Sequence, residues 1–282
     1  MESRMEIGKF DINALVIAII RIMVVAYLGI VILAYLFQEK IIFFPSALPS
    51  NYKFTFKGNF EEHVTKIDNE EVHSLIFHVP NSNGVILYFH GNAGALDSWG
   101  EVAENLGNKT AMDVWMIDYP GYGKSTGKIS SQEQLLNIAT TVMAELKEKN
   151  PAKNIFVYGR SIGSGIAAFI GSDPAVKGLI LETPYISLRE MANKTAPFLP
   201  SFILKYPMQS NEWITSVKCP ILIVHGNQDE VIPFSQGQEL SKLRGDIQFV
   251  EIPDGHHNDL DMYPLYWESI QKFFKGFVAS NN

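Results

Sequence analysis

IFVYGRSIGSG, from Ile155 to Gly165, is the stretch on which the reading of this chain turns. Its first half is a short run of large apolar residues, the pattern of a strand covered on both faces. Gly159-Arg160-Ser161-Ile162-Gly163 follows at once and leads into residues that open a helix, which puts Ser161 on a sharp strand-to-helix turn. Such a turn lifts the hydroxyl clear of the sheet, and side chains at the two glycine positions would strike neighbouring backbone. The helix N-terminus beneath it favours negative charge developing at the reacting oxygen. A chance G-x-S-x-G in a chain of 282 residues has odds of about one in ten. The motif therefore needs partners.

A serine hydroxyl is a poor nucleophile until a base takes its proton. Two downstream segments offer the missing groups, each just beyond a strand. HGNQDEVIP carries Asp229, placed where a loop carboxylate can reach a histidine on the next loop, and PDGHHND carries His256 and His257. His257 is preferred to His256 as base, and Asp229 is preferred as its orienting acid to Glu182, which ends the preceding strand and is followed by a Thr-Pro turn. The order serine, acid, histidine is the one used on this kind of sheet. HGNAG, His90 to Gly94, follows the strand VILYF, where a second donor to a tetrahedral oxyanion is expected. The backbone N–H groups of Asn92 and Ile162 are the candidate oxyanion donors. His90 is read as a brace for that loop. Adjacent histidines rarely direct both rings to one ion, and no carboxylate cluster completes a shell, so no metal is expected. Acyl transfer through such a set needs no cofactor.

Working outward, strand and helix signals alternate. His63 to Ile67, Val72 to Val79, Val85 to Phe89, Val114 to Asp118, Ile155 to Gly159, Leu179 to Glu182, Ile221 to Gly226 and Gln248 to Pro253 read as strands. Ser131 to Lys149 has its apolar residues on one helical face, with a capping box expected from Ser130 and Glu133, and Leu265 to Val278 repeats the helical spacing. The succession predicts an α/β fold with a mostly parallel central sheet and helices on both faces. Residues 184–220 break the alternation with prolines and scattered large apolar side chains, and are expected to form a small cap over the site.

The N-terminus differs in kind. Ala14 to Phe37 is a run of 24 residues whose only charge is Arg21. At 1.5 Å per residue it would extend about 36 Å, enough to cross a hydrocarbon core of roughly 30 Å. Arg21 is near enough to the end to snorkel. A cleaved signal peptide would need a shorter core and small residues where Leu36, Phe37 and Gln38 stand, and a buried core helix would not need this length. The expected division is a tail over 1–11, a transmembrane anchor over 12–38 and a catalytic domain over 39–282, with IIFFPS, Ile41 to Ser46, docking the chain onto the domain. Arg4, Lys9 and Arg21 favour a cytoplasmic N-terminus and a non-cytoplasmic domain, against Glu2, Glu6 and Asp11.

Composition excludes several classes. A net charge of −7 without a basic block argues against a nucleic-acid partner, and the single cysteine, Cys219, supplies neither an internal disulfide nor a multi-cysteine metal site. Asn108-Lys109-Thr110 and Asn193-Lys194-Thr195 match the glycosylation acceptor pattern, which matters only for a lumenal domain.

FFPS, FHGNAG, DYPGYGKSTG, YGRSIGSG, VKCPILIVHGNQDEVIPF and PDGHHNDL occur in this order, and together they resemble the α/β-hydrolase-domain proteins of the bud-emergence type over nearly all of the chain after residue 40. The resemblance implies an α/β-hydrolase fold behind a single N-terminal membrane helix, with kinship to depalmitoylating thioesterases. It implies Ser161, Asp229 and His257 as triad, the histidine being the one followed by Asn-Asp, with Asn92 and Ile162 at the oxyanion hole. Pro120 departs from the arginine common in the family's DYRGYG, and is expected to alter packing near the pocket mouth. The expected function is hydrolysis of ester or thioester bonds in small-molecule or acylated substrates. A membrane-anchored scaffold without turnover and a serine peptidase are the alternatives.

Overall fold

The computed structural model describes residues 11–151 and 153–278, so all of the expected tail except Asp11 lies outside the described residues. One sheet of eight strands organises the domain: β1 Asn59–Ile67, β2 Glu70–His78, β3 Gly84–Phe89, β4 Asp113–Ile117, β5 Asn154–Arg160, β6 Val176–Glu182, β7 Ile221–Gly226 and β8 Gln248–Ile252. Their spatial order is β1-β2-β4-β3-β5-β6-β7-β8. β1 pairs antiparallel with β2 and β2 with β4, while every later pairing is parallel. All eight expected strands are present.

The eight α-helices among the described residues are α1 Ile12–Ile42, α2 Leu96–Thr110, α3 Gln132–Lys149, α4 Gly163–Ile170, α5 Leu188–Thr195, α6 Ser210–Trp213, α7 Phe234–Ser241 and α8 Pro264–Val278. The central strands are buried along their whole length because apolar layers cover both faces. On one side Leu87, Trp115 and Val157 pack with Leu135, Ile138 and Val142 of α3 and Ile166 of α4. On the other, Ile86, Met116 and Phe156 pack with Leu106 of α2 and with Ile270 and Phe274 of α8. The two-faced core explains why these strands read as continuous apolar runs rather than alternating ones.

The start of α3 corrects one expectation. The capping box is shifted by one residue: Ser131 Oγ accepts from the Gln134 N–H at 3.1 Å, and Gln134 Oε1 accepts from the Ser130 N–H at 2.8 Å. Glutamine serves because only its carbonyl oxygen is needed, and its amide group is spent on Glu70.

α1 begins behind Asp11, whose carboxylate caps Asn13 and Ala14, and it runs unbroken to Ile42, past the expected boundary at 38. It is long and apolar enough to cross a membrane, and its most apolar 18-residue window has no buried residue. Its last turns are the part that meets the domain. Gln38 is buried there, donating to Ile203 O and accepting from the Lys205 N–H, and Glu39 pairs with Lys205 at 2.8 Å. Phe43 then enters the core beside Tyr206. Residues 184–220 contain α5, α6 and two single-turn 3₁₀ helices, Ser201–Ile203 and Ile214–Ser216, and no strand.

Candidate active site

Ser161 stands where β5 gives way to α4, with φ of +52°, a left-handed conformation that costs a non-glycine residue energy. Two glycines make the turn possible. A Cβ on Gly163 would overlap the Phe89 and His90 carbonyl oxygens, and one on Gly159 would reach Ala167 and the Gly163 carbonyl. The Ser161 N–H is tied to Glu182 O at 3.0 Å, which fixes the elbow against β6.

Three loops at the C-terminal edge of the parallel strands then converge. His257 Nε2 lies 3.0 Å from Ser161 Oγ, and His257 Nδ1 lies 2.8 Å from Asp229 Oδ2. With Nδ1–H donating to the carboxylate, Nε2 is left as the acceptor for the serine hydroxyl. Asp229 is itself held by the Val231 and Ile232 N–H groups on Oδ1, at 2.9 and 2.8 Å. Burial alone would raise its pKa, but hydrogen bonds from His225 and His257, the charge of His257 and the Ile232 N–H outweigh burial and hold the carboxyl well below the usual carboxylate range. It is ionised whenever the protein is folded near neutral pH.

His256 faces away, exposed and 3.2 Å from Glu230, so of the adjacent pair only His257 meets the serine. Glu182 is buried elsewhere, 3.2 Å from Arg160 Nε, and accepts from the Tyr158 and Tyr266 hydroxyls at 2.6 and 3.0 Å. Its neighbours make it a structural anion.

Asn92 and Ile162 both face the cavity next to Ser161. Among the described residues neither backbone N–H is engaged by a protein acceptor. The Asn92 side chain accepts from the Phe44 N–H at 3.0 Å, the Ala93 N–H at 2.9 Å and the Tyr122 hydroxyl at 2.9 Å, and its amide donates to Ile42 O. The loop carrying this candidate donor is thereby fastened to the end of α1. His90 braces the same loop from beneath, fully buried, with Nδ1 2.7 Å from Gly91 O and its ring against Tyr119 and Trp99. Tyr119 OH donates to His90 O at 2.8 Å.

A cavity of about 390 Å³ leads from Ser161. One wall is α1, through Ala34, Gln38, Ile41 and Ile42, and the opposite wall is the cap, with Leu188, Met191, Leu199, Ile203 and Leu204 among its residues. Among the described residues no charged side chain lines it, and Pro120 is not part of it. Among the described residues no group of three or more His, Cys, Asp or Glu could hold a metal ion.

Three features were not read from the sequence. The helix taken as an anchor is also a cavity wall, for which the only signal was Gln38, a polar residue ending an apolar run. His225 places Nε2 3.2 Å from Asp229 Oδ2 and 3.0 Å from Ile232 O, a buried polar residue within an otherwise apolar strand. Arg160, between the first glycine and the serine, reaches the carbonyl of His257 at 3.3 Å and Asn258 Oδ1 at 3.2 Å while lying over the Trp99 ring. It staples the histidine loop to the elbow.

The fold is the α/β-hydrolase fold. The family model described as serine aminopeptidase, S33, matches residues 80–216, which include Ser161 and end before Asp229 and His257. The chain's homologues are named α/β-hydrolase domain-containing proteins, and it is consistent with the bud-emergence type. The α/β-hydrolase domain-containing protein aho-3 of Caenorhabditis elegans is 31% identical over 212 residues, covering 74% of this chain and 63% of that protein. Protein bem46 of Schizosaccharomyces pombe is 29% identical over 256 residues, covering 83% of this chain and 85% of that protein. Among solved structures, Est1E of Butyrivibrio proteoclasticus with bound ferulic acid shares the fold with a TM-score of 0.66 at 20% identity, over 77% of this chain and 99% of that one.

Proposed function

We propose that this protein is a membrane-tethered serine hydrolase that cleaves esters or thioesters of apolar acyl groups. The observation that carries the reading is the continuous series Asp229, His257, Ser161 at the inner end of an uncharged cavity. In this reading Ser161 Oγ attacks the acyl carbonyl while its proton passes to His257 Nε2, and Asp229 stabilises the imidazolium through Nδ1–H. The Asn92 and Ile162 N–H groups take the charge of the tetrahedral oxygen. Collapse expels the alcohol or thiol with the proton from His257, and water, deprotonated by the same ring, then releases the acid and restores the serine. α1 is the tether, crossing the bilayer between the tail and the domain.

The test is labelling with a serine-directed fluorophosphonate, expected to be complete for the native chain and absent for Ser161→Ala; undiminished labelling of the variant would remove Ser161 as nucleophile. A chain-length series of acyl esters should favour medium or long chains, and a preference for acetyl would reject the apolar acyl site. An aminopeptidase, as the family model's description names, is disfavoured because among the described residues no carboxylate lines the cavity to receive a substrate ammonium. Turnover of amides above esters would reverse that choice, and a folded protein with no acyl-enzyme burst would favour a scaffold.

A further inference from the structure

The cap does not stop at the domain surface. From Thr195 to Leu204 it runs TAPFLPSFIL, ten residues without a charge, bounded by Lys194 and Lys205. Its inner face, with Leu199, Ile203 and Leu204, lines the cavity, while Phe198 and Phe202 point outward with 60% and 85% of their surface exposed. Phe202 is the most exposed large apolar side chain among the described residues. Two such exposed rings within one short segment are an unusual surface for water to cover.

The depth of this segment is set by its bonds to α1. Lys205 meets Glu39 just past the end of the apolar run, at the level expected of an interface. Farther along, the Tyr27 hydroxyl donates to Phe198 O at 2.9 Å. Tyr27 lies ten residues before Phe37, and ten residues of helix are about 15 Å, roughly half of a hydrocarbon core. The segment also meets part of the demand that hydrocarbon makes of a backbone: Pro197 and Pro200 have no N–H, Phe198 O and Ile203 O take side-chain donors from α1, and the Leu199, Ile203 and Leu204 N–H groups bond within the turn.

The geometry points to the cap tip, 195–204, being sunk in the same phospholipid leaflet as the C-terminal half of α1, so that the cavity leading to Ser161 opens among acyl chains rather than into water. The partner is the hydrocarbon of one leaflet, reached by Phe198 and Phe202. The inference rests on α1 spanning the bilayer, as proposed above.

The experiment uses the full chain in phosphatidylcholine vesicles, with a single environment-sensitive fluorophore on Phe202→Cys, Leu28→Cys or Leu243→Cys in a Cys219→Ala background. Leu243 precedes β8 at the opposite edge of the sheet and serves as the aqueous reference. Doxyl-labelled lipids are expected to quench the labels at 202 and 28, and aqueous iodide only the label at 243. A label at 202 that behaves like 243 while 28 is lipid-quenched overturns the inference and leaves the span intact; a label at 28 that escapes lipid quenching overturns the span and the inference with it. In a second arm, Phe202→Asp is expected to lower turnover of a long-chain ester held in vesicles by about tenfold or more, because a carboxylate is costly in hydrocarbon. Turnover of a water-soluble short-chain ester should be unchanged. Native rates on vesicles, or an equal loss on both substrates, would overturn the inference.

Discussion

Replacing Asn92 by alanine tests whether the end of α1 helps to build the oxyanion site. The substitution leaves the Asn92 backbone N–H in the chain but deletes the four side-chain hydrogen bonds, to Ile42, Phe44, Ala93 and Tyr122, that hold the loop. At about 1 kcal/mol net for each bond, discounted because the residue is only partly buried, the folded state should lose about 2–3 kcal/mol. An intact oxyanion donor lowers the barrier by about 3 kcal/mol, so freeing rather than removing one should lower kcat by about 10- to 100-fold. The acyl-binding walls from α1 and the cap are unchanged, and KM for a soluble ester should stay within about twofold. Steady-state kinetics on the full chain, with a thermal melt at the same temperature range, separate the two effects. A variant that is folded at the assay temperature and turns over at the native rate would refute the reasoning, since the loop would then hold its position without α1.

Asp229→Asn should lower kcat by about 10³- to 10⁴-fold by favouring the wrong His257 tautomer, whereas His256→Ala should stay near native turnover; comparable losses would reverse the histidine assignment. Because the Asp229 pKa is depressed in the fold, its contribution to stability is present above the ordinary carboxylate range and fades as pH falls through the folded value. Urea midpoints of the native chain should therefore drop between about pH 5 and 3, and less so for Asp229→Asn. Glu182→Gln strips the buried Arg160 of its counter-charge and should cost about 3 kcal/mol or more in urea unfolding. Burial pushes the Cys219 thiol from 9.0 up to about 11, so iodoacetamide at pH 8 should label it only after unfolding.

The sheet was legible because its central strands are buried on both faces and so appear as unbroken apolar runs, each closed by a polar or glycine-bearing turn. α2 drew no assignment: Gly100 and Gly107 interrupt its pattern, and both are there because neighbours press on the helix, Phe56 against the first and Met112 O and Val79 against the second. Such demands come from tertiary contacts and leave no local periodicity. The site divides the same way. Ser161, Asp229 and His257 sit at strand ends in a fixed order, so their positions could be listed from the chain alone; which of the adjacent rings faces the serine, His257 rather than His256, is set by the fold of the loop. The partnership between α1 and the cap could not be read, because Gln38 and Lys205, or Tyr27 and Phe198, are far apart in sequence and belong to segments whose composition already had a sufficient explanation.

The helix proposed as the span is also a cavity wall, and in that reading it acts as a ruler. Ala34 lies on the cavity and Tyr27 on the cap, so with α1 as the span the distance from the bilayer centre to Ser161 would be counted in helical turns rather than left to a flexible linker. With α1 seated in lipid, a thicker or thinner membrane would tilt that helix, and the catalytic wall would tilt with it. Host lipids of graded chain length should then change turnover even when the substrate is held constant, making membrane thickness a parameter of the chemistry.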